Sequence, residues 1–296
     1  MIFTGVGRGV PSSLQRKLAL ITLCLAASLS LAIEIELPPA SDDGGRIRER
    51  SVETTSPTVV REGAEAKGWH AWSRRFPGRL LEFVQLRYDC SGWDDGLGKH
   101  AGNAVHNFLA ELRNMTDRVG CRVAQAGTAK TIVELFHAAK ADTSSVPPVL
   151  FMTGQGSFAL DNGQIQQLRL LLSNGTLLFA DAGSGDWDRS FRQLVAALYG
   201  ANRLKPVPEA DAICRAPYFL GQLDPLFAHG GSEVMGYQRQ GRWVVLYHPG
   251  DLNDLWKDSA QRIKKSIRDH AFQVGVNVFY HALTHHAALS GSKDDE

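Results

Sequence analysis

The sequence has little cysteine, and none of it forms a metal or redox motif. Four cysteines in 296 residues include no CxxC pair and no Cys/His cluster at zinc spacing. Cys90, Cys121 and Cys214 follow the N-terminal apolar segment, and in an oxidising compartment their odd number leaves at least one thiol unpaired. We therefore expect small buried residues with at most one disulfide, whose pairing stays open.

The chain also lacks an excess of charge of either sign. Its 32 Lys and Arg residues nearly balance 31 Asp and Glu residues, for a net charge of +1, and no long basic run occurs. Proteins that bind nucleic acids usually carry a basic patch or arm, so we predict no nucleic-acid partner. A hydrophobic content of 44% is ordinary for a globular protein.

The N-terminus has the pattern of a secretory signal peptide. Arg8, Arg16 and Lys17 precede an uncharged apolar block that ends in Ser30-Leu31-Ala32, where small residues suit a signal peptidase. The block is short for a membrane span, which needs about 20 apolar residues, so an uncleaved anchor is the alternative. We predict a periplasmic or extracellular protein that contacts a membrane only through an uncleaved signal segment.

The composition divides the remaining chain into three parts. Residues 33–78 are rich in Pro, Ser, Thr, Gly and mixed charge, which predicts a disordered linker after a signal peptide at 1–32. Residues 79–288 contain the periodic segments of a folded domain. The polar residues 289–296 are expected to form a disordered tail.

Two stretches share a pattern typical of a parallel sheet. The apolar run 149–153 leads into Gly154-Gln155-Gly156, and the run 176–181 leads into Ala182-Gly183-Ser184-Gly185. Each Gly-rich turn is followed by apolar residues at helical spacing. In doubly wound sheets, ligands bind just past such strand ends.

Other segments extend this alternation of strands and helices. A strand is predicted over 81–88, a second over 119–123, and a last helix over 271–286. Two apolar runs flanking Arg239-Gln240-Gly241 predict a hairpin. The pattern therefore favours an α/β fold with a mostly parallel sheet and an antiparallel insertion or edge.

A set of motifs along the folded part resembles a known family. The motifs are Leu86-Arg87-Tyr88, Phe151-Met152-Thr153-Gly154-Gln155-Gly156-Ser157-Phe158, Gly175-Thr176-Leu177-Leu178-Phe179-Ala180-Asp181, Asp188-Arg189-Ser190-Phe191-Arg192, Val244-Val245-Leu246-Tyr247-His248-Pro249-Gly250-Asp251-Leu252 and Gly275-Val276-Asn277-Val278-Phe279-Tyr280. In this order they resemble the bacterial family called domain of unknown function 4159, over about Leu81 to Leu283. The resemblance implies a branch of the class I glutamine amidotransferase-like superfamily, with a flavodoxin-like three-layer α/β sandwich. It implies no activity, because the family is uncharacterised.

The chain departs from the family pattern at two strand ends. Gln155 stands where the family is expected to have a His, and Ala182-Gly183 follows Asp181 where members often carry Asp or Cys. Related amidotransferases place a nucleophilic Cys on this second turn. No G-x-S-x-G motif replaces it, so a classical glutaminase or esterase is not expected.

The candidate functional residues follow the predicted strands. Asp89, Asp181 and His248 are the catalytic candidates, because paired carboxylates and a His can act on a glycoside or hold a divalent cation. Structural roles are the alternative, since strand-end carboxylates usually accept backbone N–H groups. Asp89 and Asp181 are expected on strands that can be neighbours. The ligand-binding candidates are Gly154, Gln155, Gly156, Asp181, Asp186, Asp188, Arg189 and Asp251.

The two kinds of ligand-binding candidate have different chemistry. The glycines let backbone approach a ligand, and the Gln155 amide suits a sugar or peptide group. Asp186 directly precedes Trp187 and also suits a helix cap.

His281 and His285 stand four apart on the predicted last helix, a spacing that can bind zinc. Without a third ligand we predict no metal site, and we predict no cofactor.

The sequence favours an exported, non-catalytic ligand-binding or scaffold domain of the bacterial envelope. Its ligand is expected to be a small molecule, a glycan or an envelope protein. One alternative is a glycan or peptidoglycan hydrolase that uses the strand-end carboxylates. Another is a protein-interaction module that uses the Pro-rich connection before the hairpin.

Overall fold

The computed structural model describes residues 67–93, 97, 102–116, 121–223, 225 and 230–291. The predicted signal peptide, 1–32, and most of the predicted linker lie outside the described residues.

Cys90, Cys121 and Cys214 are all free thiols. Burial raises the pKa of the Cys121 thiol to about 11, although a hydrogen bond with the Ser73 side chain lowers this pKa by a smaller amount.

In the described part of the chain, seven strands form one sheet, which is mostly parallel as the sequence predicts. The strands are β1 (Val84–Arg87), β2 (Thr128–Thr131), β3 (Val149–Gly154), β4 (Leu177–Ala182), β5 (Lys205–Pro206), β6 (Met235–Arg239) and β7 (Arg242–His248). Their order in the sheet is β2-β1-β3-β4-β7-β6-β5. The first five strands in this order are mutually parallel, and β6 and β5 add an antiparallel edge.

Helices pack on both faces of this sheet. They are α1 (Lys67–Arg75), α2 (Ala104–Thr116), α3 (Ile132–Ala141), α4 (Asn162–Ser173), α5 (Gly185–Tyr199) and α6 (Lys265–Gly291). Helices α1, α2 and α6 share one hydrophobic core with the sheet, whereas α3, α4 and α5 share a second core on its other face. The α/β class predicted from the sequence is therefore confirmed.

Local sequence signals account for several element boundaries. Asp161 and Gln164 form a capping box that begins α4, and Gly200, at φ 96°, ends α5. The β6–β7 hairpin turns at Gln240 and Gly241, both with positive φ of 52° and 72°. Two left-handed residues match the twist of the flanking strands, and so this hairpin is confirmed.

The second strand lies later in the chain than predicted. The segment 119–123 was expected to form it, but among its described residues Val123 only bridges Leu81. The strand is the polar sequence Thr128–Thr131, at the edge of the sheet and half-exposed. An edge strand buries little side-chain surface, so it lacks the apolar signal that marks β3 and β4.

The folded part also extends further than predicted at both ends. Helix α1 lies inside the segment 33–78 that was predicted as a linker, and its Trp69 and Trp72 are buried. Helix α6 continues to Gly291, past the predicted boundary at residue 288. The two extensions meet, because the ring of Trp69 lies 5.3 Å from that of Tyr280 and Trp72 lies 6.0 Å from His286.

The middle of α6 is buried on all sides. Every residue from 274 to 280 is buried, which explains why this helix has no clear polar face in the sequence. The sheet covers one side, and α1 and the connection around Tyr218 cover others. Asn277 ties that connection down: its Oδ1 accepts the Tyr218 N–H at 3.0 Å, and its Nδ2 donates to the carbonyls of Ile213 and Tyr218.

Among the helices that the structure describes, none is both long and apolar enough to cross a bilayer.

Candidate functional site

Three polar residues lie side by side at the carboxyl ends of three central strands. Thr153 of β3 pairs in register with Asp181 of β4, which pairs in register with His248 of β7. All three are buried, and Asp181 and His248 are 0% exposed. Parallel strands bring their carboxyl ends to one edge of the sheet, so two of the three catalytic candidates meet there.

Asp181 is held by three groups. Its Oδ1 accepts the Leu252 N–H at 2.7 Å and its Oδ2 accepts the Asn253 N–H at 2.8 Å. His248 Nδ1 lies 3.2 Å from Oδ1. The carboxylate therefore caps the 3₁₀ turn Leu252–Trp256 that follows β7, in the manner of a helix N-cap.

His248 has two different ring nitrogens in this arrangement. Nδ1 faces Asp181 and also lies 3.3 Å from the Gly250 backbone nitrogen. Nε2 is buried and has no hydrogen-bond partner within the described part of the chain. The ring is thus fixed from one side only.

Asp89 does not join this pair. It lies exposed after β1, and β3 separates β1 from β4, so the strands of Asp89 and Asp181 are not neighbours. The carboxylates that the sequence suggested as an acid–base pair are therefore on strands two positions apart in the sheet.

The Gly-rich turns at this edge are hydrogen-bonded to one another. Gln155 donates its N–H to the Gly92 carbonyl at 2.8 Å, and Gly183 donates to the Gly154 carbonyl at 3.1 Å. The Ser184 hydroxyl donates to the Gln155 carbonyl, and Cys90 Sγ lies 3.1 Å from the Gly156 carbonyl oxygen. Several backbone groups of these turns are therefore paired within the protein.

Close packing explains why the turn needs its glycines. The Tyr88 hydroxyl donates to the Thr153 carbonyl at 2.7 Å and accepts the Trp187 indole N–H at 2.6 Å. A Cβ on Gly154 would lie 2.8 Å from that hydroxyl oxygen, and one on Gly156 would lie 2.4 Å from Ser91 Oγ. The glycines are required by neighbouring protein atoms, whether or not a ligand binds.

The turn after β4 carries no nucleophile. Ala182 is buried, and a Cβ at Gly183 would lie 2.8 Å from the Gly154 carbonyl oxygen. The hydroxyl in this turn belongs to Ser184, which accepts the Trp187 N–H at 3.2 Å and so caps α5. Asp186, which the sequence suggested as the cap, instead lies in the first turn of α5.

The remaining acidic candidates have separate roles. Asp186 is exposed and pairs with Arg189. Asp188 is 8% exposed; it accepts a hydrogen bond from Arg192 Nε at 2.7 Å and another from the Tyr247 hydroxyl. Burial and then the Asp188 charge raise the pKa of Tyr247 well above its ordinary value. Asp188 thus supports the core and is not available to a ligand.

Asp251 shapes the turn after β7. It has a left-handed backbone, with φ of 49°, and donates its N–H to the Ala182 carbonyl at 3.0 Å. This contact joins the end of β4 to the turn that Asp181 caps. Left-handed backbone is uncommon outside glycine, although Asp tolerates it better than most residues.

The two histidines at zinc spacing touch each other without forming a metal site. The rings of His281 and His285 are 4.4 Å apart between centroids. Burial and then the neighbouring His285 lower the pKa of His281 to about 4. Nowhere in the described ranges do three or more His, Cys, Asp or Glu side chains meet in a geometry that could hold a metal ion.

Sequence reasoning missed two interactions at this edge. Tyr88 and Trp187 join the ends of β1, β3 and α5, and Tyr247 with Arg192 holds Asp188. Both aromatic residues at strand ends, Tyr88 and Tyr247, directly precede a candidate site residue in the sequence. The hydroxyl groups of Tyr88 and Tyr247 are the sequence feature that indicates these interactions, because a buried Tyr usually finds a hydrogen-bond partner.

A model of a protein family matches most of the folded part of the chain. The family model described as "Domain of unknown function (DUF4159)" matches residues 82–283. No curated protein matches the chain.

Proposed function

The chain belongs to the DUF4159 family, a domain of unknown function, and we propose that it is a non-catalytic ligand-binding or scaffold domain of the bacterial envelope. Export rests on the apolar N-terminal segment and its flanking basic residues. We assign the domain to the flavodoxin-like, class I glutamine amidotransferase-like folds. The parallel strand order β2-β1-β3-β4-β7 supports this assignment, because it corresponds to the flavodoxin-like order.

The role of Asp181 carries the non-catalytic proposal. The carboxylate best placed for chemistry is 0% exposed and already accepts two backbone N–H groups. A general acid or base must reach the substrate proton directly or through one water. Asp181 is directed at the protein, and the turn beside it carries Ala182 and Gly183 where a nucleophile would stand.

Exposed polar side chains at the same edge are the proposed binding groups. Asp89, Gln155, Asp186 and Arg189 are all exposed at or just past the carboxyl ends of β1, β3 and β4. Amide and carboxylate groups of this kind bind hydroxyl and amide groups, which suits a glycan or the peptide of an envelope protein. Because the turn backbones are paired internally, these side chains carry the contacts.

Binding to the cell-wall glycan tests this assignment directly. We expect the purified protein to co-sediment saturably with isolated peptidoglycan sacculi, and Gln155→Ala to weaken that binding about tenfold, as loss of a hydrogen-bonding anchor does. Gln166→Ala, at an exposed Gln on α4, is the matched control and should bind normally. Equal binding by both variants would show that the turn after β3 is not the binding surface.

One observation favours a hydrolase as the second candidate. His248 and Asp181 form a His–carboxylate contact of 3.2 Å, the arrangement that orients a general base in many hydrolases. If the protein is a hydrolase, the wild-type protein turns over envelope glycans or small glycosides, and Asp181→Asn abolishes this turnover. The non-catalytic proposal instead requires that the wild-type protein leaves all of these substrates intact.

Asp181→Asn is expected to destabilise the fold. It replaces one carboxylate oxygen by an amide that cannot accept, so a buried N–H of Leu252 or Asn253 loses its acceptor. We expect the free energy of unfolding to fall by about 1–3 kcal/mol in urea denaturation. Asp89→Asn, at an exposed position, should change it by less than about 0.5 kcal/mol. Similar values for the two variants would contradict the capping role of Asp181.

A further inference from the structure

A buried ring nitrogen, His248 Nε2, lies at the strand-end edge of the sheet. The side chain is 0% exposed, and this nitrogen has no hydrogen-bond partner in the ranges that the structure describes. Buried side-chain nitrogens are nearly always hydrogen-bonded to protein or to ordered water. The expected partner of this nitrogen therefore lies outside the described residues.

The surroundings of Nδ1 decide what kind of partner that is. Nδ1 lies 3.2 Å from Asp181 Oδ1 and 3.3 Å from the Gly250 nitrogen, and it can donate to the first or accept from the second. A hydrogen bond to a carboxylate is about twice as strong as one between neutral groups. Of the two neutral tautomers, the one with its proton on Nδ1 is therefore favoured, and this tautomer leaves a lone pair on Nε2.

We infer that His248 Nε2 is a buried acceptor site for an N–H or O–H donor, carried by a ligand or by a water molecule. Asp181 is the positioning residue that fixes the tautomer. This buried site is separate from the exposed side chains proposed to bind a glycan or peptide, and the inference goes beyond that proposed function. The negative charge of Asp181 beside the ring favours neutral or cationic donors and disfavours anions.

The chain after β7 is fixed in place beside the ring. The segment Pro249–Asn253 folds back beside His248 and is held by the Asp251 N–H on Ala182 and by the Gly230 N–H on the Pro249 carbonyl at 3.1 Å. Leu252 and Asn253 add their contacts to Asp181.

Nitrogen NMR of the full-length protein with ¹⁵N-labelled histidine tests this site. We expect the His248 signals to show a protonated Nδ1 and an unprotonated Nε2 whose shift is displaced toward the hydrogen-bonded value. Ammonium chloride is the probe, and potassium chloride is its control, because potassium has nearly the same size and charge but donates no hydrogen bond. His137, exposed on α3, is the internal reference.

The outcomes separate the two sources of the donor. If ammonium changes the Nε2 chemical shift saturably and potassium does not, a donor carried by a ligand is supported. If the Nε2 shift is displaced toward the hydrogen-bonded value and neither salt changes it, a resident water is supported. The inference is overturned if Nε2 carries a proton, or if its shift is not displaced and neither salt changes it.

A variant checks the role of Asp181 separately. In Asp181→Asn we expect a mixture of the two His248 tautomers, because the charged acceptor for Nδ1–H is gone; an unchanged tautomer would remove Asp181 from the proposal.

None of these measurements uses turnover. Detecting glycan hydrolysis would therefore defeat the non-catalytic proposal without deciding the tautomer, and the tautomer can fail while the protein remains silent toward glycans.

Discussion

Replacing Trp72 with alanine is expected to lower the free energy of unfolding by about 3–5 kcal/mol, the usual range for a large aromatic residue lost from a core. Trp72 is 2% exposed on α1, a helix within the segment predicted to be a linker. Its ring lies 4.6 Å from Phe76 and 6.0 Å from His286, and the Arg79 guanidinium lies 5.9 Å from its centroid. Urea denaturation of the full chain measures the effect.

The matched control lies on the same helix. His70 is exposed, so His70→Ala should change the free energy of unfolding by less than about 0.5 kcal/mol. If Trp72→Ala unfolds at the same urea concentration as His70→Ala, α1 is not part of the cooperative unit. A large loss for Trp72→Ala alone extends the domain beyond residues 82–283, which the family model covers.

The sequence predicts the centre of the sheet better than its edge, and the reason is burial. Strands β3 and β4 are buried along their whole length and appear as continuous apolar runs. Strand β2 is polar because it is half-exposed at the edge, so the sequence favours the more apolar segment 119–123 that precedes it. Trp69, Trp72 and Phe76 did carry a signal for α1, since they fall at helical spacing.

The candidate site shows what spacing along the chain cannot decide. The sequence places Asp181 and His248 after separate strands, and the parallel sheet brings them to 3.2 Å. Whether Asp181 serves chemistry or structure depends on the Leu252 and Asn253 N–H groups, about 70 residues further along the chain. Such pairing between distant backbone groups leaves no pattern in composition or periodicity.

Mild acid is expected to destabilise the fold through the buried histidines of α6. Burial lowers the pKa of His281 from 6.5 to about 4, and burial likewise lowers the pKa of His286 from 6.5 to about 4, although its contact with the Gly175 carbonyl opposes the change. The folded pKa lies below the unfolded one, so the unfolded chain binds more protons between these values. The stabilisation is complete above pH 6.5 and is lost as the pH falls toward 4.

The expected loss is large enough to measure before the carboxyl groups titrate. Between about pH 7.5 and about pH 5, each imidazole contributes roughly 2 kcal/mol, or roughly 4 kcal/mol for the two together. Hydrogen bonds lower the pKa of Glu134, Asp142 and Asp258 below ordinary values of 4.5, 3.8 and 3.8, so their contributions are lost only in stronger acid. Urea denaturation at several pH values in this window gives the slope.

Removing one buried imidazole should remove about half of that slope. His286→Gln places an amide, which does not titrate, near the Gly175 carbonyl. The free energy of unfolding of this variant should therefore depend on pH through His281 and, more weakly, through His285. Burial lowers the pKa of His285 as well. His137→Gln, at an exposed site on α3, should keep the full slope. A wild-type stability that is flat across this window would contradict the burial of both imidazoles, because burial is the main cause of their lowered pKa values.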